Sequence, residues 1–92
     1  MLRIIVCDDR GSVQFGVEGS LTKPWAEELR KSWQEVSASI AHPDSLLVEL
    51  TAMTNIDSIG KEILMEMYQS GVKLVGSGIM TRAVIEEITL AG

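Results

Sequence analysis

The sequence predicts an α/β fold, a mixed β-sheet packed against helices as an α/β sandwich in the order β-β-α-β-α-β-α. Three observations carry that prediction. Val13, Phe15 and Val17 alternate with Gln14, Gly16 and Glu18, the period of a half-buried strand. Trp25, Leu29, Trp33, Val36 and Ile40 recur at intervals of three or four, the apolar stripe of an amphipathic helix. Beyond that helix, short aliphatic runs alternate with helix-like segments across brief turns, which implies parallel strands joined by right-handed crossovers. The 92 residues, 46% hydrophobic and 23% charged, describe a single domain over 1–92. A chain of this size buries only about 60–65% of the surface its unfolded form exposes, so most apolar side chains must help fill the core.

The elements follow in order. Residues 2–7 are mostly branched aliphatics and read as a strand, with Asp8-Asp9-Arg10-Gly11 as the turn. Ser12–Leu21 forms the antiparallel partner, and Gly19 allows a bulge or bend before Leu21. Thr22-Lys23-Pro24 starts a helix, with Thr22 or Lys23 at the cap and Pro24 near the first helical position, where its missing N–H costs nothing. Glu27 and Lys31 make a favourable i,i+4 pair on its polar side, and His42-Pro43-Asp44 ends the helix. Residues 45–51 are aliphatic apart from Glu49, the look of a central strand covered on both faces. Asp57 or Ser58 caps a second helix that runs to about Ser70 and closes at Gly71. Ile59, Gly60, Ile63, Leu64 and Met67 fall on one arc of it, and Met65 is an apolar residue on the polar arc. Residues 72–75 form the next strand, Gly76-Ser77-Gly78 the next turn, and residues 80–90 a third helix with Ala83, Val84 and Ile88 inward.

Composition excludes several functions. Eight Lys and Arg against 13 Asp and Glu give a net charge of −5, so neither nucleic acid nor an anionic membrane surface is an expected partner. Cys7 is the single cysteine and His42 the single histidine, which leaves no metal-ligand cluster and no expected cofactor. The apolar run from Ile4 to Cys7 is too short for a signal peptide or a membrane span, and a reducing cytoplasm is the expected location. Asp8-Asp9 after a strand resembles the acidic pair of a response-regulator receiver, but a second strand follows and no acceptor aspartate ends the central strand. Gly71 to Gly78 spaces its glycines like a phosphate loop without the lysine and hydroxyl that should follow. No nucleophile stands beside a base, so catalysis is not expected; it would require a pocket with a perturbed carboxylate, Glu49 or Asp57.

The segment from Thr51 to Leu64 carries the most specific pattern: a strand ends, a hydroxyl-rich loop follows, and Asp57-Ser58 starts a helix. A helix N-terminus stabilises negative charge, so the segment suits either simple capping or a phosphate switch. Here the sequence resembles the STAS family, the domain of sulfate transporters and anti-sigma factor antagonists. The resemblance rests on Gly19-Ser20-Leu21, Leu47-Val48-Glu49-Leu50-Thr51, Asn55-Ile56-Asp57-Ser58-Ile59-Gly60, and Val72-Lys73-Leu74-Val75 followed by Arg82. It implies a non-enzymatic interaction module whose partner is an anti-sigma factor or kinase-like ATPase. In the antagonists the stretch reads D-S-S-G, and the partner phosphorylates the second serine to control binding. Asp57, Ser58 and Gly60 match that pattern, whereas the acceptor position holds Ile59. Either the switch is lost, or Ser58 or Thr54 takes it over, or the domain signals by docking alone. On this reading the contact surface comprises Asn55, Asp57, Ser58, Ile59, Gly60, Lys61, Glu62 and Met65. Dimerisation stays open. The alternative is a small-ligand or anion-binding module that uses Gly76, Ser77 and Gly78 together with the helix start at Asp57.

Overall fold

A long hairpin opens the chain in the computed structural model, which describes residues 1–9, 12–38 and 46–91. Its elements are β1 (Leu2–Asp9), β2 (Ser12–Leu21), α1 (Trp25–Ser37), β3 (Leu46–Glu49), β4 (Met53–Ile56), α2 (Ser58–Gln69), β5 (Lys73–Val75) and α3 (Ile79–Ala91). The predicted order holds with one insertion, β4, in the segment that reads as a hydroxyl-rich loop. β1 and β2 pair antiparallel from Leu2 opposite Gly19 to Asp9 opposite Ser12, so Asp8 and Asp9 extend the strand rather than form the turn. The tip at Arg10 and Gly11 lies outside the described residues, as do Ile40, the helix stop at His42-Pro43-Asp44 and Ser45.

The other edge of β2 is shared by two strands in succession. β3 pairs parallel with Val13 to Gly16, and β4 pairs parallel with Gly19 to Leu21. Together they form one course interrupted at Leu50-Thr51-Ala52, where the Met53 N–H donates to the Leu50 carbonyl at 3.0 Å. Opposite this break the register shifts between Gly19 and Ser20. The bulge expected at Gly19 is present there, at φ +95°, and a Cβ at this position would run into the Met1 carbonyl. β5 completes the sheet, parallel to β3.

One face of the sheet supplies the core. Val13, Phe15, Val17 and Leu21 of β2 and Leu46 and Val48 of β3 are buried in a single cluster with Ala26 and Leu29 of α1, Ile63, Leu64 and Met67 of α2, and Val84 and Ile88 of α3. β3 is therefore covered on one face only: Leu47 and Glu49 on its other side are half-buried. The helices differ from expectation in phase at two places, and in one cap and one ion pair besides. Pro24 occupies the N-cap position of α1, without a side-chain hydrogen bond, in place of Thr22 or Lys23, and Trp25 is 41% exposed while Ala26 is buried. Trp33 and Val36 keep the stripe, partly buried against the core. In α3 Ala83 is exposed and Thr81 is buried, its hydroxyl donating to the Leu50 carbonyl at 3.0 Å, an acceptor at the interruption of the β3–β4 course. Glu27 is bridged by Arg30 at 3.1 Å, where the sequence suggested Lys31.

Candidate functional site

The candidate site is the start of α2 and the side of that helix facing α3. Asp57, in extended backbone, is the N-cap, one of the two candidates the sequence offers; its Oδ1 accepts the Gly60 N–H at 2.8 Å. Its Oδ2 accepts the Lys23 N–H at 2.9 Å, and its own N–H donates to the Leu21 carbonyl at 3.3 Å. One residue thus ties the helix start to the end of β2 and the approach to α1. These backbone donors, Lys23 first and Gly60 next, hold the carboxyl below its ordinary range against a smaller opposing effect of desolvation.

Gly60 is buried where α2 crosses the end of β2. A Cβ there would overlap the Leu21 carbonyl and lie 2.9 Å from Ile56 Cγ1. The aspartate and glycine of the D-S-x-G pattern therefore have a structural job: they let the helix begin hard against the sheet. The residues between them differ in access. Ser58, the first helical residue, is exposed, and Ile59 is half-buried against the core. Thr54 and Asn55 are exposed on β4, with Asn55 Oδ1 accepting the Ile56 N–H at 2.9 Å.

One turn on, the helix borders a groove of about 400 Å³ between α2 and α3, lined by Lys61, Glu62, Met65, Glu66, Glu87 and Ile88. Lys61 reaches across to Glu87 at 3.1 Å. Met65 is half-buried and packs against the core, so its place on the polar arc is explained by the neighbouring helix rather than by open solvent. Glu66 also receives Arg30 of α1, at 2.8 Å, and Arg30 is held charged by that hydrogen bond first and by Glu27 in addition. The wall from α3, Glu87 and Ile88, is absent from the contact surface expected from sequence, where Ile88 figures only as an inward residue of the third helix, because nothing in a one-dimensional pattern says which helices adjoin.

Gly76, Ser77 and Gly78 do form the turn from β5 to α3. The Ser77 N–H is already donated to Thr51 Oγ1 at 3.0 Å, and a Cβ at Gly76 would meet Thr81 Cγ2 at 2.5 Å and the Thr51 nitrogen at 3.2 Å. This turn is packed against the end of β3, which leaves it fewer free donors for an anion. Glu49 accepts the Thr51 N–H at 2.6 Å and so organises the same corner. Among the described residues no group of three or more His, Cys, Asp or Glu is placed to hold a metal ion, and no helix is long and apolar enough to cross a membrane.

No protein-family model matches the chain, and no curated protein sequence matches it significantly. Solved structures do. An anti-sigma factor antagonist from Mycobacterium paratuberculosis is 26% identical with a TM-score of 0.82, over 98% of this chain and 80% of that one. An uncharacterised protein with a SpoIIAA-like fold from Shewanella loihica is 14% identical with a TM-score of 0.62, over 98% of this chain and 79% of that one. Mglu shares the fold at 15% identity and a TM-score of 0.60, over 82% of this chain but only 19% of its own. The chain has the STAS-like fold, and the resemblance read from its residues holds across nearly its whole length.

Proposed function

We propose that this STAS-type domain is a non-enzymatic regulatory module that docks a protein partner through the start of α2 and the groove beside it. The partner is of the kind anti-sigma factor antagonists bind, an anti-sigma factor or kinase-like ATPase, met in the cytoplasm. One observation carries the reading. Asp57 and Gly60 are committed to holding the helix start on the sheet, while Ser58, Glu62 and the half-buried Lys61 and Met65 are left along an accessible rim.

The phosphate switch of such modules is altered here. Ile59, at the acceptor position, has no hydroxyl and packs against the core. Ser58 is exposed, but it follows a carboxylate that already takes up a helix N–H, so a phosphate there meets like charge. Docking without phosphorylation at residue 59 is the mechanism we favour.

The test is co-purification from the native host, followed by affinity measurement with the recovered ATPase. Replacing Met65 with Glu places a third carboxylate between Glu62 and Glu66 and is expected to weaken binding at least tenfold while circular dichroism stays unchanged. Undiminished affinity of a folded M65E variant removes this face from the interface. Phosphate found on the peptide spanning Thr54 and Ser58 would move the switch to one of those hydroxyls.

A further inference from the structure

β1 is the outer strand of the sheet. Among the described residues its one strand neighbour is β2, and the two run in unbroken register over eight residues. β1 contains no proline, lysine or bulge of the kind that commonly blunts an edge, and its charges stand only at the two ends. The Ser20 N–H donates to the Met1 carbonyl at 3.0 Å, which makes Met1 and Ser20 a hydrogen-bonded pair. By the alternation of an antiparallel ladder, Arg3, Ile5 and Cys7 then direct their backbone groups to β2, and Leu2, Ile4, Val6 and Asp8 direct theirs outward. Val6 stands opposite Phe15 on the core side of the sheet yet is 48% exposed.

We propose that β1 pairs antiparallel with β1 of a second copy, centred on Ile5, to make one continuous sheet through two protomers. The strand is self-complementary in that direction alone. It reads Leu-Arg-Ile-Ile-Val-Cys-Asp-Asp, a cation near one end, acids at the other and apolar residues between. A parallel mate would set acids against acids. A two-fold axis perpendicular to the sheet keeps both sets of helices on one side, so that residues of like parity must oppose one another. Centring on Ile5 sets Ile5 opposite Ile5, Ile4 opposite Val6, Arg3 opposite Cys7 and Leu2 opposite Asp8, with the Arg3 position diagonal to Asp9 of the other strand. The backbone groups of Leu2, Ile4, Val6 and Asp8 are then hydrogen-bonded. Centring on Val6 instead sets Arg3 opposite Asp9 but moves Asp8 inward from Leu2 to Ile4 and gives up the two Ile4–Val6 pairs. One strand pair is a small interface, so the dimer is weak and depends on concentration.

Sedimentation velocity over a concentration series is expected to show a reversible monomer–dimer equilibrium. V6K, an edge lysine, is expected to shift it to monomer with unchanged circular dichroism. R3D, at a side chain 74% exposed, provides a second variant that does not disturb the core. The register is read with I5C/C7S under oxidised glutathione, which exchanges with the two thiols to leave an intermolecular disulfide and reduced glutathione. Opposed residues at a non-hydrogen-bonded position lie about 4.5 Å apart, within disulfide reach. Cross-linking much faster than in an E28C/C7S control supports the pairing. Monomer at every concentration, a dimer that survives both V6K and R3D, or cross-linking no faster than the control overturns it.

Discussion

Asp57 shows how much one side chain does in this fold. Its carboxylate receives two backbone N–H groups from different parts of the chain, Lys23 and Gly60, and both favour the ionised form. The folded protein therefore binds a proton at Asp57 less tightly than the unfolded chain does. The stabilisation is fully present above the unfolded value of about 3.9 and is lost as pH falls through the lower folded value. Urea unfolding of wild type and D57N is expected to differ most near neutral pH, with wild type the more stable, and the two curves should converge on acidification through that window. Parallel curves would show that the carboxylate's charge contributes nothing. Residue type and position mark Asp57 or Ser58 as the cap, and the hydrogen bond from the Gly60 N–H assigns it to Asp57. Residue-scale reading failed at Thr81, because hydropathy ranks Ala83 as the inward residue and cannot see that the Leu50 carbonyl offers the Thr81 hydroxyl a partner.

Elements were legible where a period repeats often enough to be read. β2 alternates through Val17, and α2 keeps its apolar arc through Gly60, Ile63, Leu64 and Met67, all of them buried. β4 was not legible, since Met53-Thr54-Asn55-Ile56 is a short, half-polar stretch whose strand character comes from pairing with the far end of β2. The first turn of α1 was misphased for a related reason: a stripe gives the period of a helix but not which residue at its end faces the sheet, and Ala26 rather than Trp25 does. The candidate site inherits both outcomes. Its α2 side was visible in sequence, whereas its α3 side depends on how helices adjoin. The meeting of α2 with β2 also makes a sharp prediction. Gly60→Ala raises helix propensity, which alone would stabilise, but its Cβ collides with the Leu21 carbonyl. Overpacking of about 1–3 kcal/mol is expected to win, lowering the denaturation midpoint. A neutral or stabilised G60A would mean that the helix start can lift from the sheet without cost.

At the scale of the whole molecule, stability rests on one core beneath one sheet face, and residues should matter by their depth in it. Phe15 lies in the middle strand of the hairpin-plus-parallel arrangement, opposite Val6 on one side and Val48 on the other, and is fully buried. Phe15→Ala should cost about 3–5 kcal/mol, a large share of the roughly 5–15 kcal/mol that holds a domain of this kind together. Trp33 is larger, and its place in the α1 stripe alone would predict a similar loss. It is only partly buried, however, and sits beside Arg30, Gln34 and Glu66 at the surface where α1 meets α2. Its truncation leaves a space that water can enter rather than a sealed cavity, so Trp33→Ala should cost less than Phe15→Ala, about 1–3 kcal/mol. Chemical denaturation of the two variants decides the matter. If the tryptophan variant proves the weaker, then the α1–α2 contact, and not the sheet face, is the centre of the fold, and the surface available to a partner on α2 would have to be redrawn around it.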